Sequence, residues 1–499
     1  MNCRIAEVLL CLFLAISSVS KSQQLVLRGD FPDPSVVKIG DTYWASATTS
    51  NWLPAYPLLK SKNLINWEQV GYVFNKKPDW ADFYFWAPEI SHDNGKTYIY
   101  YSAHKKDGNL CVGIASADKP EGPYTDHGPL ICQPAGSIDA FPMRDENGKL
   151  FLIWKEDGNS VRKPTPIWAQ QINEERTALI GEKTELFRND QAWEANLVEG
   201  VSMIRKGEYF YAFYAAAGCC GAGCTYVTGI ARSKSLLGPW EKDPSNPVMK
   251  DGGNWKCVGH GTPVEKDGKY YYFYHGYDSA TNIYSGREGL LIEFVFTDDN
   301  WVKFLDTNTS SGNYSSTVVD NFNQSTLQQQ WQWSVFRQPE YEVKRGCLFL
   351  QGSPEGSALG QKTLSGDYVA ETMIVKKRQD AAGGIGVIGD DQNYLAAWVT
   401  GDSVMVMEYR KGITTTRYAK NVGSSKKIYL KVEAKNGKDI SFSFSLNNKN
   451  YQLLNDTPVN ASFLPPWDRA LRVGLIAKGS SAQTVAFEYF KAKFTDNQF

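Results

Sequence analysis

Net charge is nearly absent from this chain: 53 Lys and Arg stand against 54 Asp and Glu, leaving −1 over 499 residues. Neutralising a phosphate backbone needs a basic surface, so nucleic acid is excluded as a principal partner. Long apolar runs are also missing. Only Val8 to Val19 comes close, and it is too short to span a bilayer, so no membrane partner is expected. Helix-period patterning is almost absent, which points to an all-β chain. Aromatic residues are plentiful, with 15 Trp and 27 Tyr. They suit strands, and their faces suit sugar rings.

What is there is a repeat. EGVSMIRKGEYFYAFY from Glu199 has four relatives: PSVVKIGDTYWASAT from Pro34, EISHDNGKTYIYYSA from Glu89, FPMRDENGKLFLIWK from Phe141 and PVEKDGKYYYFYHG from Pro263. Each is a period-two hairpin about a glycine, namely Gly40, Gly95, Gly148, Gly207 and Gly268. A recurrence of about 55 to 60 residues is typical of propeller blades, so five hairpins predict a five-bladed β-propeller. A polar residue precedes each turn by about one strand length: Asp33, Glu89, Asp139, Glu199 and His260. If each begins its blade's first strand, all five share one end of the central channel. The return strands then bring Ala47 to Asn51, His104, Lys155 to Asp157, Gly218 to Cys224 and His275 to the same rim.

The domain plan follows. Residues 1–22 read as a signal peptide, with Arg4 ahead of the apolar run and small residues at Ser18 and Ser20. Residues 24–305 form the propeller and the polar tract at 306–317 the linker. Residues 318–499 alternate as strands without the aromatic repeat, which predicts a two-sheet β-sandwich. The protein is expected to be secreted, extracellular or periplasmic. Seven cysteines remain after the leader, an odd set in an oxidising compartment. Cys219, Cys220 and Cys224, in AAAGCCGAGCTY, fall at the rim. A bridge between Cys219 and Cys220 is the favoured form, with a loop closed by Cys224, a link to Cys257, or a Cys/His metal site as alternatives.

Three acids suggest chemistry. Asp33, in FPDPS, is held between two prolines that remove local donors, which suits a base acting on water. Glu199, in LVEGVSM, begins an apolar strand, where burial favours the protonated form of an acid. Asp139, in SIDAFPM, supplies a neighbouring charge that can tune Glu199. An acid and a base on opposite sides of a sugar are what glycoside hydrolysis requires.

FPDPSVV, FWAPEI, SIDAFPM followed by DENGK, VEGVSM, GHGTPV and SGREGLL together resemble glycoside hydrolase family 43. The sandwich, opening on DNFNQSTLQQQWQW, looks like the concanavalin-like jelly roll that follows many xylosidase and arabinofuranosidase members. The resemblance implies an inverting mechanism with Asp33 as base, Glu199 as acid and Asp139 as the tuner of its pKa. It also implies substrate contacts from Arg287 and Trp86, and an axial His260 that in some members helps hold calcium through water. No cofactor is required. Structural calcium near the axis is an option, although one His supplies no cage and no metal ligand set is assigned. Two departures stand out: Val201 where the family usually carries Pro after Glu-Gly, and the GCCGAGC loop, whose Cys219 and Cys220 are candidate substrate contacts. The expected partner is an arabinose- or xylose-containing oligo- or polysaccharide from plant cell wall, attacked from chain ends. Endo-arabinanase action and a non-catalytic carbohydrate-binding propeller are the alternatives. A sucrose-splitting propeller fails for want of its Arg-Asp-Pro motif.

Overall fold

The computed structural model describes residues 23–305, 315–376 and 381–495. The expected signal peptide and most of the expected linker lie outside these residues.

Short alternating runs such as TYWAS and LFLIWK, separated by positive-φ glycines at Gly40, Gly148, Gly207 and Gly268, fold as antiparallel hairpins. They build five small sheets. The first contains Ser35–Ile39, Thr42–Ser46, Ala55–Ser61 and Glu68–Phe74. The second contains Ala81–Asp93, Lys96–Lys105, Leu110–Ala117 and Thr125–Ile131. Ser137–Arg144, Leu150–Glu156, Ile167–Ile172 and Leu179–Phe187 form the third, and Val198–Lys206, Tyr209–Ala216, Val227–Ser233 and Glu241–Lys242 the fourth. The fifth takes Trp255–Lys266, Lys269–Asp278 and Arg287–Phe296 from one end of the propeller segment and Gln24–Leu27 from the other, with Leu25 opposite Leu290. That pairing ties the start of the propeller to its last blade. The first strand of each sheet packs against the first strand of the next, and Trp255–Lys266 returns to Ser35–Ile39, so the five blades close into a ring.

Two larger sheets stack as the C-terminal sandwich. One centres on Thr484–Thr495, Asp367–Val375 and Lys427–Lys435; the other on Arg472–Lys478, Ala382–Asp390 and Asn393–Thr400. Ser315–Asp320 pairs with Thr484–Thr495, so residues 315–317 of the expected linker are strand. The sandwich is joined to the propeller rather than tethered beside it. Trp333 and Ser334 pair with Leu53 and Trp52, and one apolar core runs from Tyr56 and Phe85 through Trp331 to Leu430 and Phe487. Asp30 of the propeller accepts from Arg472 at 3.3 Å and from the Ala470 amide at 3.2 Å.

Candidate active site

The inner strands are irregular where they reach the channel end. Ladder register slips between Trp86 and Glu89, Ile138 and Phe141, Glu199 and Ser202, and around His260. Ala87, Asp139, Gly200 and His260 all take positive φ there, as does Asp33 at 51° just before its strand. A bulge bends a strand and re-aims a side chain, and such backbone strain collects at functional sites. Gly200 is required at its position, because a Cβ there would stand 2.7 Å from the His260 ring. These devices turn Asp33, Asp139, Glu199 and His260 into one cavity of about 330 Å³, lined also by Trp86, Arg287, Cys219 and Cys220. Glu89 does not line the cavity. The bulge at Trp86 and Ala87 gives the second blade's place at the site to those residues and leaves the acid further along the strand.

Asp33 is rich in donors, contrary to the expectation from its flanking prolines. Thr48 donates to Oδ2 at 2.7 Å, Arg287 donates to Oδ1 at 3.1 Å, and His260 and His275 lie 3.4 and 3.3 Å from Oδ1. Burial pushes the carboxyl pKa up, but Arg287, His260, His275 and Thr48 outweigh it and bring the pKa to about 2. Burial, reinforced by Arg287, pushes His275 well below its ordinary value. Its neutral Nδ1 accepts from the Asp33 amide at 3.0 Å.

The other two acids form a coupled pair. Burial is the main cause that raises Asp139 to about 7, and the Glu199 charge adds to it against the pull of His260 and Lys155. Glu199 is buried but ion-paired. Lys155 Nζ stands 2.6 Å from its Oε2, and the Tyr226 hydroxyl donates to its Oε1 at 2.8 Å. Lys155 also holds Asp157 at 2.9 Å. Burial opposes its ammonium, but Glu199, Asp157 and Asp139 together raise its pKa. Asp139 Oδ2 accepts from the Gly200 amide at 3.0 Å, which ties the two inner strands together. The raised carboxyl Asp139 thus stands beside the ion-paired Glu199.

Trp86 forms an aromatic wall with Tyr84, stacked at 4.3 Å, and with Trp467, edge-on at 5.7 Å. Trp467 and Asp468 belong to the sandwich. Asp468 accepts from Trp86 Nε1 at 3.0 Å and from Ser50, while its backbone oxygen accepts from Arg287 at 2.9 Å. Arg287 thus lines the cavity while joined to Asp33 and Asp468. Three disulfides join Cys111 to Cys132, Cys219 to Cys220 and Cys224 to Cys257. Two of the bridges considered for the loop therefore form together. Cys347, half-buried, is the seventh cysteine of the set. His260 turns its Nδ1 toward Asp33 at 3.4 Å, and among the described residues no three His, Cys, Asp or Glu gather as a direct metal cage.

Of the rim residues expected from the repeat, Lys155, Asp157, Cys219 and Cys220 line the cavity, and His275 supports Asp33. His104 turns instead to Asp82 at 2.8 Å. Thr48 falls within the expected Ala47–Asn51 rim. Tyr226, Trp467 and Asp468 carried no repeat signal. Tyr226 follows the cysteine loop, and PPWDR reads as an ordinary turn 434 residues beyond Asp33.

Residues 22–302, more than half of the chain, match the family described as glycosyl hydrolases family 43. The chain belongs to that family. Its glycosidase class follows from that membership. Residues 319–493 match the beta xylosidase C-terminal concanavalin A-like domain, which accounts for the sandwich. A non-reducing end alpha-L-arabinofuranosidase of Bacteroides ovatus is 24% identical over 451 residues, 80% of each chain. A xylosidase/arabinosidase of Humicola insolens is 27% identical over 303 residues, 56% of this chain and 54% of that one. With several such relatives the match spans about half of their length. Among solved structures, a family 43 protein of Bacillus licheniformis superposes with a TM-score of 0.80 at 23% identity, covering 94% of this chain and 99% of the other. A xylan beta-1,4-xylosidase of Bacillus halodurans superposes equally well at 20% identity, covering 95% and 100%. These two support the fold.

Proposed function

We propose that this family 43 member is an inverting, exo-acting hydrolase that releases terminal alpha-L-arabinofuranosyl or beta-D-xylosyl units from plant cell-wall glycans. The observation that carries the reading is the pairing of unlike carboxyls around one cavity: Asp33 stays ionised, with its pKa brought to about 2, while Asp139, raised to about 7, sits beside Glu199. Asp33 takes a proton from the attacking water as its oxygen bonds the anomeric carbon. Glu199 delivers a proton to the departing glycosidic oxygen. Asp139, the neighbouring carboxyl with the raised pKa, tunes that step, and Lys155 and Tyr226 fix where Glu199 points. Arg287, His260 and Thr48 keep Asp33 anionic, neutral His275 holds its amide, and Trp86 with Trp467 offers ring faces to the sugar. Exo action is supported by Trp467 and Asp468, which bring the sandwich onto one side of the cavity. Secretion is supported by the N-terminal pattern and by three disulfides.

The test is an assay on nitrophenyl alpha-L-arabinofuranoside and beta-D-xyloside beside linear arabinan. Turnover of an aryl pentoside is expected, with a single pentose as the product from longer chains. Asp33→Asn and Glu199→Gln should each lower kcat by roughly 10²-fold or more, the scale of acid or base catalysis. Internal cleavage of arabinan would overturn exo action, no turnover at all would favour a binding module, and a near-normal variant would remove that residue from the mechanism.

A further inference from the structure

Cys219 and Cys220 are bonded to each other, half-buried, and line the same cavity as Glu199, Leu197 and Tyr226. Pairing removes both thiol protons, so the wall here is two polarizable sulfurs and their methylenes with no donor to offer. Asp33, Asp139, Lys155, Glu199 and Arg287 supply the polar groups elsewhere in the lining. A sugar hydroxyl turned to the sulfurs would lose its water without replacement, whereas a C–H face would lose nothing.

The loop that carries this wall is held from several sides. Thr225 donates its amide to Gly218 O at 2.9 Å, and Gly218 donates to Thr225 Oγ1 at 3.0 Å. The Gly221 amide donates to the Tyr277 hydroxyl at 3.2 Å. Cys224 is bonded to Cys257 on the inner strand Trp255–Lys266. Gly221, at φ +78°, lies so close to the sandwich that a Cβ would stand 3.1 Å from Trp467 O. Cys220 itself takes φ 104°, a backbone conformation that L residues rarely adopt and that collects at ligand sites. Four small residues, Gly218, Gly221, Ala222 and Gly223, would otherwise leave the segment to be ordered at the moment of binding.

We infer that the Cys219–Cys220 disulfide is a preorganised substrate wall that receives a C–H face of the bound pentosyl ring. The inference rests on the pentosidase reading above. The test is the Cys219→Ser/Cys220→Ser double variant, with steady-state kinetics on the aryl pentoside turned over by the wild type. KM should rise about tenfold, the loss of roughly one well-packed contact, with kcat changed less than about twofold and Tm by less than about 2 °C. A water-soluble phosphine should give the wild type the same shift. It reduces the half-buried pair with two electrons, water supplies both thiol protons, and the water oxygen ends on phosphorus. The same treatment should leave the double variant unmoved. An unchanged KM in the variant overturns the inference, as does an equal phosphine response in variant and wild type, which would place the effect at Cys224–Cys257 or Cys111–Cys132. A fall in Tm and kcat without a KM change would make the pair merely structural. If the double variant does not fold, phosphine-treated wild type with Cys224–Cys257 and Cys111–Cys132 verified as intact by peptide mapping decides in the same way. A wild type inactive on every pentoside overturns the proposed function, whereas an active wild type with an unaffected variant overturns only the wall.

Discussion

Replacing Lys155 by Met tests how the acid side of the site is held. The ammonium is almost fully buried and lies 2.6 Å from Glu199 and 2.9 Å from Asp157. Its removal leaves two carboxylates with no cation, and breaking a buried ion pair by deleting one partner costs about 3–5 kcal/mol. That cost exists only while the carboxyls are ionised. The variant should therefore be much less stable than wild type at pH 7, with the gap closing as pH falls below about 4.5, where carboxyls take up protons whether folded or not. Activity should report the same charge. Lys155 is one of the groups that pull Asp139 down, so without it Asp139 keeps its proton to higher pH. In wild type the alkaline limb of kcat/KM should lie near the value of about 7 set at Asp139. In Lys155→Met it should move up by about 1–2 units, the scale of an opposite charge within ~4–6 Å. Thermal unfolding at pH 4.5 and 7, with a kcat/KM profile from pH 4 to 9, measures both. A variant as stable as wild type at pH 7, with its alkaline limb unmoved, would refute the idea that Lys155 governs this pair.

Two further outcomes are expected. Proton NMR of the first-formed anomer should show inversion, because a base acting through water needs its carboxyl on the order of 6.5–9.5 Å from the acid; retention would end the assignment of Asp33 as base. Trp467→Ala should reduce kcat/KM on aryl pentosides by about 3- to 10-fold, the worth of an aromatic contact, with little change in Tm because half of the ring is exposed. Unaltered kinetics would show that the sandwich does not shape the pocket.

The blades were legible in the sequence because each is local. A hairpin is set by period-two alternation around a turn glycine within about fifteen residues, and five copies with Gly40, Gly95, Gly148, Gly207 and Gly268 suffice to count them. Asp33, Asp139, Glu199 and His260 could be placed at one channel end by that repeat alone. The sandwich was legible as a change of pattern. The same logic misplaced Glu89, because a bulge at Trp86 and Ala87 shifts the frame and alternation does not reveal a bulge.

What surrounds each acid was decided only by the tertiary structure, since electrostatic environment depends on neighbours remote in the chain. Asp33 looked donor-poor between its prolines, yet Arg287, 254 residues away, and His275 close around it. Glu199 looked like an acid in an apolar strand, yet Lys155 and Tyr226 arrive from the third and fourth blades. Trp467 and Asp468 reach the cavity only because the sandwich packs on the first two blades through one shared core. Alternation and turn chemistry are local properties that a sequence carries openly, whereas the charge and shape of a pocket arise from contacts that exist only once the chain has closed on itself.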